Sequence, residues 1–231
     1  MQIRRERNLR AITGQAAEIR EGHWDLMKTE VLPATDPSAL RYAADVLRNN
    51  GLVAFPTDTV YGVGALAFKP EAVQRLYIVK GRSTDKAIAV LVARNSDLLR
   101  VAKELTPAAQ WLALRFWPGP VTLVVPKHPD LPKAVSALPT VGVRLPDHLV
   151  AKKLLELTGP LAVTSANRSG GPSSLTAAAV LAQLNGRIDL VIDGGPAPGG
   201  VPSTVVDCTG AQPVILREGP ISAADIERAV S

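Results

Sequence analysis

Apolar residues at Leu40, Ala43, Ala44 and Leu47 repeat with the three-and-four spacing of one helical face. Asn49-Asn50-Gly51 then supplies a helix stop before the unbroken apolar run Leu52-Val53-Ala54-Phe55, which predicts a helix-to-strand transition. Pro56 ends that strand, so Thr57-Asp58-Thr59-Val60-Tyr61-Gly62 is expected as a turn at its end, where open α/β folds place ligands. A second stripe, Ala72, Val73, Leu76 and Val79, predicts a helix that delivers Lys80 at its C-terminal edge. The runs 88–92, 121–125 and 161–164 predict buried strands with helices between them, and 188–192, 203–207 and 213–217 add further strand candidates.

Strand and helix patterns therefore alternate irregularly along the chain. The expected class is α/β, with a twisted mixed sheet flanked by helices rather than a simple doubly wound arrangement. Trp117-Pro118-Gly119-Pro120 and the segment 194–202 read as tight connections. Residues 1–30 have sparse apolar positions and mixed charge and read as an N-terminal extension, either flexible or, over 15–28, helical. Val31-Leu32-Pro33-Ala34 resembles an entry strand, so residues 31–231 are expected to form one compact domain; no long hydrophilic linker divides them into two.

Composition narrows the chemistry only modestly. Twenty-six Lys and Arg against 21 Asp and Glu give a formal charge of +5, which suits anionic ligands or nucleic acid without identifying either. The single cysteine, Cys208, excludes an internal disulfide framework and reads as a small buried side chain. His23, His128 and His148 are not spaced as metal ligands. Charged residues interrupt every apolar run well before membrane-spanning length, and the opening residues lack the apolar core of a signal peptide, so a cytoplasmic protein without membrane contact is expected.

Three polar clusters are candidates for chemistry. In Lys80-Gly81-Arg82, two cations flank a residue without a side chain and can surround an anion, although a solvated turn has the same composition. Thr164-Ser165-Ala166-Asn167-Arg168-Ser169-Gly170-Gly171 directly follows a buried-strand run and offers hydroxyls, an amide, a charge and backbone N–H groups; a helix-capping turn is the alternative. Ser203-Thr204 opens another strand candidate. The chain has no P-loop, complete dinucleotide fingerprint, G-x-S-x-G elbow or H-E-x-x-H pair.

Six segments occur here in one order: Pro56 to Gly62, Lys80-Gly81-Arg82, Pro118 to Thr122, Val143-Arg144-Leu145-Pro146 with His148, Thr164 to Gly170, and Ser203 to Asp207. With the closing Leu216-Arg217-Glu218-Gly219, this order resembles the YrdC-like L-threonylcarbamoyladenylate synthases in their short, single-domain form, over roughly residues 35 to 220. The resemblance implies an ATP-dependent nucleotidyltransferase that joins L-threonine, bicarbonate and ATP, with Mg²⁺, into threonylcarbamoyl-AMP and pyrophosphate. That product serves modification of adenosine 37 in tRNA through downstream threonylcarbamoyl-transfer proteins, with at most weak tRNA contact by this chain. By the same resemblance Lys80 and Arg82 are catalytic, and Thr57, Thr59 and Tyr61 hold threonine. Arg144, Ser165, Asn167, Ser203 and Arg217 hold nucleotide and carbamate, while a metal-binding residue stays unassigned.

Two departures stand out. Ser83 and Ala87 replace prolines usual after the basic pair, which predicts a looser local backbone. Leu91 stands where some relatives carry histidine, which removes a general base there. An RNA-binding module and the carbamoyl-adenylate-forming domain of hydrogenase maturation proteins are the competing readings.

Overall fold

The computed structural model describes residues 28–230. In chain order the elements are β1 (Glu30–Pro33), α1 (Ala39–Arg48), β2 (Val53–Phe55), β3 (Gly62–Leu66), α2 (Pro70–Lys80), β4 (Ala89–Leu91), α3 (Leu98–Val101) and α4 (Pro107–Phe116). They continue with β5 (Val121–Pro126), β6 (Thr140–Arg144), α5 (Leu149–Thr158), β7 (Leu161–Ser165), α6 (Ala177–Leu184), β8 (Leu190–Asp193), β9 (Thr204–Asp207), β10 (Val214–Arg217) and α7 (Ala223–Val230). The ten strands form one mixed sheet in the order β1-β8-β2-β3-β7-β4-β6-β5-β9-β10. No helix among the described residues is long and apolar enough to cross a membrane.

Every apolar run read as a strand is one. Two strands, β3 and β6, carry no such run, because Gly62, Gly64 and Gly142 interrupt their alternation. Glycine weakens a strand unless something needs the space, and here something does: a Cβ on Gly62 would stand 2.7 Å from Val163 Cγ1, and one on Gly64 3.1 Å from Val163 Cγ2. Residues 1–27 of the expected extension lie outside the described residues. Thr29 and Glu30 belong to the fold: Thr29 is buried and its hydroxyl donates to the Ile188 carbonyl at 2.8 Å, while Glu30 pairs with Leu190.

Strand alternation sorts side chains onto two faces. One face carries Ala54, Val63, Val90, Leu123, Val141, Val143, Val191 and Val206, covered by α2, α4, α6 and α7. The other carries Val53, Phe55, Leu161, Val163, Leu190 and Ile192, covered by α1 and α5 through Tyr42, Val46, Leu47, Leu154 and Leu155. Those two helices pack on each other and on the β1-β8-β2-β3-β7 side. Beyond them the same face continues across β4, β6, β5 and β9 without a helix among the described residues, and the cleft lies there.

Candidate active site

The cleft has a volume of about 340 Å³. Its floor consists of the face positions left over by the alternation: Ala89 and Leu91 of β4, Gly142 and Arg144 of β6, Thr122 and Val124 of β5, Val163 and Ser165 of β7, and Val205 of β9. Gly142 keeps that floor low, since a Cβ there would come within 3.1 Å of Thr122 Cγ2. The rim comes from Thr57, Thr59, Val60, Arg82, Ala87, Pro202, Ser203 and Arg217.

The 57–60 turn is tied to the floor by one buried arginine. Arg144 is 5% exposed; Nε donates to the Gly119 carbonyl at 2.9 Å, Nη1 to Thr59 Oγ1 at 3.0 Å, and Nη2 to Asp58 Oδ1 at 2.5 Å. Burial lowers the guanidinium pKa from its ordinary value, and Asp58 pulls the other way. Thr57 Oγ1 donates to the Val60 carbonyl at 2.7 Å and lies 3.0 Å from Thr59 Oγ1. Tyr61 points elsewhere: its hydroxyl donates to the Gly195 carbonyl at 2.7 Å and accepts from the Gly194 N–H at 3.2 Å. Burial pushes its pKa up to about 12, so the phenol stays protonated.

Lys80 ends α2 on the helix-covered face, and Gly81 at φ 59° lets the chain reverse immediately after it. The reversal separates the two cations. The Lys80 ammonium donates to the carbonyls of Ser165 and Asn167 and is 2% exposed, and its backbone carbonyl accepts from the Ser169 N–H at 2.9 Å. Desolvation, then the neighbouring Arg82 charge, pull its pKa down to about 7. Asn167 spends its amide on the Arg168 and Gly171 carbonyls, both at 2.8 Å, and its Oδ1 is buried without a partner. Lys80 and Asn167 thus brace the backbone behind Ser165, whose side chain faces the cleft.

Arg82 reaches the cleft rim, where Nη2 donates to the Ala87 carbonyl at 2.9 Å and Nε to that of Lys86 at 3.2 Å. Its turn, with Ser83 and Ala87 in place of prolines, is closed by Ser83 Oγ to Asp85 Oδ2 at 2.9 Å and by the Lys86 N–H to the Ser83 carbonyl at 3.2 Å. Arg217 holds the Ser203 carbonyl through Nε at 3.1 Å and Nη2 at 2.7 Å, and the Ser203 hydroxyl lies 2.8 Å from Thr122 Oγ1. Burial lowers the pKa of Arg217, and Arg82 lowers it further. All these hydrogen bonds of Arg82 and Arg217 end on neutral oxygens, and among the described residues the cleft lining includes no carboxylate. Two forked cations facing one cavity without a counter-charge make an anion site.

Of the residues singled out from sequence, Thr57, Thr59, Arg82, Arg144, Ser165, Ser203 and Arg217 line the cleft. Lys80, Tyr61 and Asn167 stand behind that lining. Leu91 is 4% exposed and forms part of the floor. Sequence reasoning assigned no role to Asp58 or Thr122, although both lie in the segments that carry the resemblance; a charged residue flanked by two threonines was the available signal for Asp58. Among the described residues no group of three or more His, Cys, Asp or Glu side chains is placed to hold a metal ion.

Residues 45–219 match the Sua5/YciO/YrdC family model, described as telomere recombination. A threonylcarbamoyl-AMP synthase of Pyrococcus abyssi is 45% identical over 83% of this chain and 57% of its own length. A Mycobacterium tuberculosis relative is 39% identical over 84% of this chain and 92% of its own. The crystal structure of Pyrococcus abyssi Sua5 complexed with L-threonine superposes with a TM-score of 0.83 at 42% identity, covering 87% of this chain and 60% of that one. The chain therefore spans about three-fifths of the archaeal proteins it matches, and every residue that lines the cleft, from Thr57 to Arg217, falls within the family-model match. With three-quarters of its length matched in order and its fold reproduced at such identity, the chain belongs to the Sua5/YciO/YrdC family.

Proposed function

We propose that the cleft makes L-threonylcarbamoyladenylate from L-threonine, bicarbonate and ATP, releasing pyrophosphate, and that the product feeds threonylcarbamoyl transfer to adenosine 37 of tRNA in the cytoplasm. The observation that carries this reading is the pairing, in one cavity, of two arginines lacking a carboxylate partner with the hydroxyls of Thr57 and Thr59. Relatives of the same family carry the synthase name, and one was crystallised with L-threonine.

Chemically, the ammonium of threonine and bicarbonate yield the N-carbamate, water and a proton. A carbamate oxygen then attacks the α-phosphorus of ATP as the bond to the β-phosphate bridging oxygen breaks, and the electron pair leaves with pyrophosphate. Neither step needs a side-chain nucleophile. Negative charge builds on phosphate oxygens, where Arg82 and Arg217 stabilise it if they meet the transition state more strongly than bound ATP. Lys80 keeps the Ser165 backbone in place and adds positive charge behind it. Among the described residues the cleft lining supplies no carboxylate set for a resident metal, and Mg²⁺ enters with ATP as part of that substrate, where it would neutralise phosphate charge. The downstream transfer proteins act on the released adenylate, and direct tRNA contact is not required for its synthesis.

The test is incubation with ATP, Mg²⁺, isotopically labelled bicarbonate and single amino acids. Labelled adenylate and pyrophosphate should form together with L-threonine, and much less with valine, which lacks the hydroxyl. No labelled adenylate with any amino acid, alongside salt-sensitive tRNA binding, would establish an RNA-binding module instead.

A further inference from the structure

We propose that Asp58 is a positioning residue for amino-acid recognition: through Arg144 it sets the direction in which the Thr57 and Thr59 hydroxyls donate, leaving an acceptor for the substrate's amino group. This deepens the proposed function and rests on it for the identity of the amino acid.

The direction follows from counting donors. A guanidinium only donates, so Thr59 Oγ1 accepts from Arg144 Nη1 at 3.0 Å. A carbonyl only accepts, so the Thr57 hydroxyl hydrogen goes to Val60 at 2.7 Å. The two hydroxyl oxygens lie 3.0 Å apart, and the one hydrogen left to bridge them belongs to Thr59. Thr57 Oγ1 also accepts from the Thr59 backbone N–H at 3.2 Å. Both hydroxyl hydrogens are therefore consumed within the turn, and the lone pair left unengaged is on Thr59 Oγ1, a cleft-lining atom group. It can receive an N–H from an ammonium but offers no hydrogen to a carboxylate or phosphate.

Asp58 controls this arrangement from behind. Its carboxylate does not line the cleft; Oδ1 takes the Arg144 Nη2 hydrogen at 2.5 Å, and Oδ2 is buried without a partner. Holding Arg144 is thus the single hydrogen-bonding task of that carboxylate among the described residues. The Arg144 side chain is 6% exposed and the Asp58 side chain 12%, so the pair is screened little by solvent. Removing the carboxylate leaves a buried cation without its counter-charge. Arg144 then loses its fixed angle, Thr59 loses its donor, and the hydroxyl chain is free to reverse and present hydrogens to the ammonium.

The experiment compares wild type, Asp58→Ala and the nearly isosteric Asp58→Asn, which retains an acceptor oxygen but no charge. Calorimetry measures the affinity of L-threonine and of 2,3-dihydroxybutyrate, in which a hydroxyl replaces the amine; the KM for ATP is read separately in the adenylate assay. Asp58→Ala should weaken threonine about tenfold or more, as loss of a buried charge-assisted contact does, with Asp58→Asn intermediate. ATP KM should stay within about twofold, a uniform-binding control, and the preference for threonine over the hydroxy acid should shrink. Should Asp58→Ala fail to fold, the preference measured in folded Asp58→Asn decides. An unchanged preference, or threonine and ATP weakened alike, overturns the proposal. Threonine binding that depends on Asp58 without adenylate synthesis would sustain this role and overturn the synthase reading. Adenylate synthesis with an unaltered preference would do the reverse, and a wild-type protein that binds no threonine overturns both.

Discussion

The same sheet face is built in two ways. Over β8, β2 and β7 its inward positions are Leu190, Ile192, Val53, Phe55 and Leu161, all sealed under α1 and α5. Over β6, β5 and β9 the equivalent positions are Gly142, Arg144, Thr122, Val124 and Val205, with no helix of the described residues above them. The alternation is identical on both sides; the residue types at the alternate positions differ. On one side, apolar burial against helices supplies stability. On the other, small and polar residues leave a hollow whose charges a substrate must complete. Stability and chemistry are thus carried by neighbouring strands of one sheet rather than by separate layers.

The largest expected effect is on the open side. Replacing Arg82 or Arg217 by Ala should slow adenylate formation at saturating substrates by about 10²-fold or more, the usual scale for loss of a transition-state charge partner. Arg82→Lys should recover only part of that loss, since it keeps the charge but not the guanidinium fork. Single-turnover rates with folding and bound ATP measured independently check this; wild-type rates in the folded variants would break the distinction between the two sides. On the sealed side, Leu154→Ala should destabilise the protein by about 2–5 kcal/mol while sparing turnover by the folded fraction. Urea denaturation and active-site titration together measure it.

A smaller effect is expected from pH. Lys80 is held near pKa 7 against an ordinary 10.5 by burial and then by Arg82. Between those two values the unfolded chain binds more protons at this position than the folded one, so its contribution makes stability rise with pH across that window and level off above it. The cation itself is lost in the native state as pH rises through about 7. If its charge assists phosphate binding, kcat/KM for ATP should fall by about tenfold between pH 6 and pH 8. A flat profile would confine Lys80 to bracing Ser165. The smallest effect is expected from deleting residues 1–27, which should leave adenylate formation within about twofold of the full chain, whereas deletion through Glu30 also removes the Thr29 bonds to Ile188 and Gly186 and should lower Tm.

Much of this architecture is legible in the sequence because sealed strands must be apolar. The runs around Phe55, Val90, Leu123, Val163 and Val191 declare themselves, as does the helix ending at Lys80. The strands that escape notice, β3 and β6, border the cleft, and their glycines satisfy the site and its close packing rather than local strand preference. The anion clamp was half visible: Lys80-Gly81-Arg82 announces two cations, but nothing local shows that Gly81 sends them to opposite sides of a strand end. The Asp58–Arg144 pair was invisible as a pair, because 86 residues separate its members and only the sheet brings them together.

That long-range wiring has a consequence for synthesis. Glu30 opens the first strand, yet its sheet neighbours are Leu190 and the residues after it, and Thr29 waits for a carbonyl 159 residues further along. At ribosomal speeds of about 5–20 residues per second, roughly eight to thirty seconds pass between the emergence of β1 and that of its partner. During that interval β2 and β3 can zip into a hairpin, but β1 has nowhere to dock and α1 has only half a platform beneath it. The nascent protein therefore exposes Leu32 and the apolar side of α1 until β8 arrives, and ribosome-associated chaperones have that interval in which to shield them.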